Sequence, residues 1–298
     1  MNRSVTVKAP CKLNLSLDIT GRREDGYHFM KMVMQTVDLY DRVVLTSNLD
    51  GKIRVVCEDG QVPQEEENIA HKAAVEFFNE TELECSGLDI YIDKKIPMQA
   101  GLGGGSADGA AVLVGLNELY QTGLSLHELG MIGQKVGADI PFCIHGGTAL
   151  VEGIGEIITP LPDLPECYIV IAKPQMGSQT AAAFRRYDEL KEQERLAKIP
   201  DLEEMVAAVV SNELEPIAHS MGNVLESVLD LEEVKHIEAA MLEQGALGAM
   251  MTGSGSAVFG IFEGKSQAKR CQRILEEEGE FSFLTKPVNH GAKVEKQA

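Results

Sequence analysis

Apolar residues in the first third of the chain recur at every second position, the spacing of strands with one buried face. Val5 and Val7, then Leu13, Leu15, Leu17 and Ile19, then Val33 to Leu45, and then Ile53 and Val55 predict strands. The period lengthens after Asn68, whose short side chain suits a helix N-cap, and a helix is predicted to Phe78. Leu88, Ile90 and Ile92 return to strand. Helices follow from about Ala107 to Tyr120 and from about Ser125 to Val136, the second opened by Ser125 with Glu128 as a capping box. Thr148 to Val151 reads as strand, and Gly153 to Pro165, rich in glycine, proline and acid, reads as a crossover. Beyond it, strands are predicted at Tyr168 to Ile171, Gly248 to Met251, Ala257 to Phe259 and Phe283 to Val288. The intervening helices are placed at Thr180 to Ala197, Leu202 to Ser211, Leu231 to Gln244 and Gln267 to Glu278.

Strands and helices segregate enough to predict an α+β fold rather than a doubly wound parallel sheet. The 298 residues suit about two domains, divided here into 1–155 and 156–298. A formal net charge of −19 argues against nucleic-acid binding, which rests on basic surfaces. It leaves room for a phosphorylated small molecule held by local cations. The opening residues lack the apolar core of a signal peptide, and no apolar run approaches the ~20 residues that span a bilayer. No membrane association is expected, and the expected compartment is the cytoplasm. The six cysteines are scattered, without metal spacing, and read as reduced, mostly buried thiols.

The densest chemical signal is Pro97-Met98-Gln99-Ala100-Gly101-Leu102-Gly103-Gly104-Gly105-Ser106, four glycines and a serine before a small-residue helix. Such a loop exposes backbone N–H groups where the helix dipole is positive, which suits a phosphate. It is not a Walker A loop, because no lysine and hydroxyl follow at the required spacing. It is not a Rossmann loop either, because Ser106 stands where the third glycine belongs. Gly264-Lys265-Ser266 reads as a turn and helix cap. Taken alone, the glycine cluster also reads as a flexible turn.

Three further segments carry candidate chemistry. Lys12 and Asn14 share one face of a strand by its two-residue period, although Lys12 alone reads as a solvated edge residue. Asp139 stands in Gly137-Ala138-Asp139-Ile140-Pro141-Phe142, an apolar turn that can tune a carboxylate for proton abstraction; alone it reads as a cap. Tyr27 and His28 follow Gly21 to Gly26 as an aromatic and an imidazole near a hairpin tip. Thr252-Gly253-Ser254-Gly255 forms a second glycine turn.

Taken together and in this order, these segments resemble the GHMP kinase superfamily of small-molecule kinases, from about Val5 to Val288. The three superfamily motifs match Ala9 to Asn14, the Pro97 to Ala111 loop and helix, and Thr252 to Gly255. The resemblance implies a two-domain GHMP kinase fold with the glycine-rich phosphate loop at a helix N-terminus. The version Gly-Leu-Gly-Gly-Gly-Ser, with Asp-Gly-Tyr-His and Gly-Ala-Asp-Ile-Pro-Phe, resembles the branch of the non-mevalonate isoprenoid route. That branch phosphorylates the 2-hydroxyl of a cytidyl-methylerythritol.

The resemblance further implies that Asp139 accepts the hydroxyl proton and Lys12 stabilises charge during transfer. Pro97 and Gly101, Leu102, Gly103, Gly104, Gly105 and Ser106 would hold ATP, with Mg²⁺ as companion and its protein ligands unassigned. Tyr27 would stack on the cytosine, His28 would bond its edge and Phe184 would cover the other face. Asn14 and Thr180 would contact the methylerythritol phosphate. The expected assembly is a monomer or homodimer. Another small alcohol, homoserine- or mevalonate-like, or a non-catalytic nucleotide-binding role, stays open as an alternative.

Overall fold

The chain builds outward from one long hairpin, seen in a computed structural model that describes residues 3–57, 65–175, 180–196 and 199–295. Its arms are β1 (Ser4–Arg22) and β2 (His28–Ser47), antiparallel along their whole length. Register shifts at Pro10/Cys11 and Asn14/Ser16 mark bulges in β1, where a proline that cannot donate to the ladder is tolerated. The arms exceed the predicted segments because polar Lys12, Asn14, Gln35 and Thr36 interrupt the apolar alternation, yet all four are buried.

The chain continues through β3 (Ile53–Cys57), α1 (Ile69–Thr81), β4 (Leu88–Asp93), α2 (Gly104–Tyr120), α3 (Leu126–Gln134), α4 (Ile140–His145), β5 (Thr148–Gly153) and β6 (Ile157–Pro160). There follow β7 (Tyr168–Lys173), α5 (Thr180–Glu192), α6 (Leu202–Ser211), α7 (Leu214–His219), β8 (Gly222–Asn223), α8 (Val224–Leu229) and α9 (Glu232–Glu243). The last elements are β9 (Gly248–Met251), β10 (Val258–Phe262), α10 (Lys265–Glu277), β11 (Phe281–Thr285) and β12 (Lys293–Val294). α5 ends at Glu192; Ala197, its predicted end, lies outside the described residues.

One sheet runs β12-β1-β2-β4-β3, with β5 and then β6 added on β2, and β8 parallel to β1. The second is antiparallel, in the order β11-β7-β10-β9. β6 pairs with β5 across the expected boundary at 155/156, and β8 and β12 return from the second half to the first sheet. The caps follow the side chains: Asn68 Oδ1 accepts the Ala70 N–H at 2.8 Å, and Ser125 and Glu128 form the capping box. Gly264 is the N-cap of α10.

The main core lies where α1 and α2 cover the first sheet, with Phe77, Leu113, Leu116, Ile90 and Leu45 at its centre. α2 lies close enough that a Cβ on Gly115 would stand 2.4 Å from Leu45 Cδ1. A separate core joins α9 and α10 to the second sheet through Ile237, Met241, Val258 and Leu275. No helix among the described residues is long and apolar enough to cross a membrane.

Where α8, α9 and β9 meet, Glu226 Oε2 accepts the Met251 N–H at 2.7 Å. Burial first, and then the Glu226 carboxylate, push the neighbouring Glu238 up to about 8. The folded chain therefore holds this proton more tightly than the unfolded one. The stability it contributes is complete below the ordinary 4.5 and is lost as pH rises to about 8. Thermal melts should show the parent losing stability relative to Glu238→Gln across that window; parallel curves would contradict the assignment.

Candidate active site

Two glycine turns from opposite halves of the chain meet back to back. The first bends at Gly101, φ +75°, where a Cβ would lie 2.2 Å from the Thr252 carbonyl oxygen, so neither the conformation nor the space admits a side chain. Ala257 N–H donates to Ala100 O at 3.1 Å, joining the turns as a short backbone seam. Leu102 O accepts the Lys12 N–H at 3.1 Å and ties the loop to β1.

The helix behind the loop starts earlier than its predicted Ala107. Gly103, φ +68°, is the N-cap, and Gly104, Gly105 and Ser106 form the first turn. A Cβ on Gly104 would meet Ile96 Cγ2 at 3.0 Å, and one on Gly105 would meet Ile69 Cδ1 at 3.1 Å. Packing, more than flexibility, therefore demands the later glycines. It brings the first N–H groups of α2, which have no partner within the helix, to the floor of a cavity of about 1090 Å³.

Lys12 is buried, not the solvated edge residue that its strand position suggests when read alone. Its Nζ donates to Asn14 Oδ1 at 2.7 Å and stands 3.7 Å from Asp139 Oδ2. Asp139 occupies the N-cap position of α4, yet its side chain makes no capping bond. The carboxylate instead faces Lys12 and is 31 % exposed to the cavity, where a substrate can reach it. Cys11 and Cys143 lie close behind; burial pushes both thiols far above their usual range, so they are inert packing.

Beneath the loop is a charge cluster that the motifs do not announce. Lys94 Nζ contacts Asp41 Oδ2 and Asp108 Oδ2, both at 2.6 Å. Asp41 also accepts the Lys95 and Ile96 N–H groups, fixing the chain that leads into Pro97. Burial opposes the Lys94 charge, but Asp108 and Asp41 outweigh it and hold the amine above its usual range. Burial raises Asp108 well above the carboxylate range, against the pull of Lys94. Asp41 was legible in one respect: it is an acid on the inward phase of the alternation Val37, Leu39, Val43, Leu45.

The opposite wall comes from the hairpin tip and α5. Tyr27 is 63 % exposed, beside His28. The His28 ring stacks on Phe184 with centroids 4.8 Å apart, and its Nε2 bonds Asp188 Oδ1 at 2.8 Å. Asp188 also pairs with Arg22 at 3.2 Å. Phe184 thus covers one face of His28, and the ring's Nε2 is engaged by Asp188. Asp188 escaped the motif reading, yet Thr180, Phe184 and Asp188 recur every fourth residue, one stripe of a helix. Thr180 Oγ1 bonds Ser254 Oγ at 2.8 Å.

All the candidate residues line this one cavity except Thr252. Thr252 is fully buried behind it, and its Oγ1 accepts the Asn14 N–H at 2.9 Å. Among the described residues, no group of three or more His, Cys, Asp or Glu side chains is placed to hold a metal ion.

Residues 68–147 match the GHMP kinases N terminal domain and residues 205–280 the GHMP kinases C terminal region. The chain is 42 % identical to the 4-diphosphocytidyl-2-C-methyl-D-erythritol kinase of Clostridium tetani, over 95 % of this chain and 99 % of that one. This chain belongs to the GHMP kinases. The enzyme of the same name from Exiguobacterium sibiricum is 46 % identical to this kinase, over 91 % and 94 % of the two chains. A crystal structure of 4-(cytidine 5'-diphospho)-2C-methyl-D-erythritol kinase superposes with a TM-score of 0.77 at 31 % identity, covering 96 % of this kinase and 99 % of that chain. A homoserine kinase from Cytophaga hutchinsonii shares the fold, with a TM-score of 0.78 at 20 % identity, over 98 % and 97 % of the two chains. The chain is thus an ATP-dependent small-molecule kinase.

The seam between the turns yields a test. Gly101→Ala must push its Cβ against the Thr252 carbonyl, and kcat/KM for ATP should fall about 10²-fold, the scale of an ångström-level misplacement. Steady-state ADP release measures it; activity near the parent's would contradict the role of the close approach.

Proposed function

We propose that this kinase transfers the γ-phosphoryl group of ATP to the 2-hydroxyl of 4-diphosphocytidyl-2-C-methyl-D-erythritol, a step toward isoprenoid precursors. The observation that carries the reading is one cavity with a phosphate-type loop and the Lys12–Asp139 pair on one side and Tyr27, His28 and Phe184 on the other. The relatives' names supply the substrate.

In this reading Asp139 takes the hydroxyl proton as the oxygen attacks the γ-phosphorus, and ADP leaves. Lys12, held at Asn14 and Asp139, stabilises the charge that spreads over the transferred group. Catalysis is then mostly positioning and electrostatics. The N–H groups at the start of α2 and the Gly101–Gly103 bend bind the nucleotide phosphates.

Tyr27 stacks on the base, His28, steadied by Asp188, reads its edge, and Phe184 covers the second face. Asn14 and Thr180 meet the polyol phosphate, and the second glycine turn closes the wall between the ligands. Mg²⁺, when bound with ATP, would neutralise phosphate charge, and Ser106, in the first turn of α2, would contribute its hydroxyl as an oxygen ligand.

Residues 1–155 would supply the loop, Lys12 and Asp139, and residues 156–298 would supply Thr180, Phe184 and the second glycine turn. Each matched family region falls inside one of these halves. One chain provides the whole set, so a monomer or a homodimer serves equally.

The purified protein should release ADP only when the cytidyl substrate is supplied. Turnover of homoserine or mevalonate instead would overturn the substrate while keeping the kinase. Asp139→Asn should lower kcat by about 10²–10⁴-fold, the usual contribution of a general base. Tyr27→Ala should raise KM for the cytidyl substrate about tenfold at an intact KM for ATP, given roughly 1–3 kcal/mol for stacking on a base. An unchanged KM would remove the base from that wall.

A further inference from the structure

The second glycine turn links β9 to β10, and side chains from outside the three motifs help to hold it. Gly222 and Asn223 of β8 pair in parallel with Ser16 and Leu17 of β1, just beyond Asn14. Asn223 is buried and spends all its polar atoms there. Its Nδ2 donates to Met251 O at 2.9 Å and to Gly253 O at 2.8 Å, while Oδ1 accepts the Leu225 N–H at 3.0 Å and caps α8. Glu226 Oε2 takes the Met251 N–H at 2.7 Å. Met251 is thus gripped at both its N–H and its carbonyl as the chain enters the turn.

The far side of the same turn faces the reacting groups. A Cβ on Gly253 would lie 3.3 Å from Lys12 Nζ and 2.9 Å from Gly101 O. A shift of the Gly253 peptide would therefore move the wall against which Lys12 and the phosphate loop are set. We propose that Asn223 and Glu226 are positioning residues for phosphoryl transfer, holding the second glycine turn at the spacing that Lys12 and the Gly101 bend require. The proposal rests on reading this cavity as the transfer site.

The amide of Asn223 meets a demand that few groups can satisfy: two donors toward two carbonyls and one acceptor toward a helix N–H. Asn223→Asp keeps the shape and the helix cap but turns an oxygen toward both carbonyls. Protonation restores one donor, and burial against two carbonyl dipoles favours the protonated form. Glu226 and Glu238 on α8 and α9 push the same way, whereas Lys12 across the turn opposes them. The defect should therefore deepen as pH rises, which a general loss of structure would not reproduce.

The test compares kcat of the full chain with the cytidyl substrate, and ATP affinity without any alcohol, from pH 6 to 9 for parent and variants, with melting temperatures alongside. The Asn223→Asp-to-parent ratio of kcat should be down about 10²-fold at pH 9 and recover at least about tenfold toward pH 6, with ATP affinity following the same trend. A ratio independent of pH overturns the proposal. Glu226→Gln, which keeps an oxygen for the Met251 N–H, should retain kcat within about threefold, while Glu226→Ala loses about tenfold or more. Equal loss in these two variants overturns the proposal even if Asn223→Asp does not fold. If the parent ignores the cytidyl substrate, the substrate reading fails, and the pH trend in ATP affinity alone decides the proposal.

Discussion

The contact on which the rest of the site depends is the approach of two stretches of bare backbone, Gly101 against Thr252, sealed by the Ala257 N–H to Ala100 O bond. Peptide groups can come this close only where no Cβ intervenes. Once they do, the first glycine bend, β1 and the second turn are held within a hydrogen bond of one another. Lys12 then has little choice of position: its backbone is tied to the loop, its amine to Asn14, and its stem lies beside Gly103. A buried cation needs partners, and Asn14 and Asp139 supply them while leaving the Asp139 carboxylate open to the cavity.

Beneath this seam, the Lys94, Asp41 and Asp108 cluster ties three elements at one point: β2, the segment after β4, and α2. Removing either partner of a buried pair such as Lys94–Asp41 costs about 3–5 kcal/mol, because a charge is left without compensation. The cluster stiffens the floor on which the helix N-terminus points into the cavity. Buried floor and exposed rim are different kinds of construction. The rim at Tyr27 is exposed, and there Phe184 stacks on one face of His28.

Much of the first half was legible because local rules agreed with the fold. The alternation of β1 and β4, the Asn68 cap and the Ser125–Glu128 capping box all act within a few residues and reappear in the structure. The motif residues could be named from sequence, and the structure brings all the candidate residues but the buried Thr252 to one cavity. What stayed hidden depends on distant partners. Lys12 looked solvated because nothing local shows that Leu102 and Asp139 enclose it. The short α4, α7 and α8 and the two-residue β8 and β12 carry too few periods to stand out. Asn223 has no local signature, since its two carbonyl partners lie 28 and 30 residues away. The early start of α2 was obscured by glycines, which usually oppose helix but here admit Ile96 and Ile69.

Residues 286–294 bear on the order in which the protein can assemble itself. Asp38 bonds Lys286 O, Val288 bonds Thr36 O, and Gly291 and Ala292 bond the carbonyls of His145 and Cys143 at the end of α4 before β12 joins β1. The helix that begins at Asp139 is thus fastened by a segment made well over a hundred residues later. During synthesis, the sheet and helices of the first half emerge with a gap along β1 and an unsecured α4. Such long-range closure is slow because the loop entropy must be met before the contacts reward it. A nascent chain of this kinase therefore carries its glycine loop, its lysine and its carboxylate before it has the strap that fastens the carboxylate's helix.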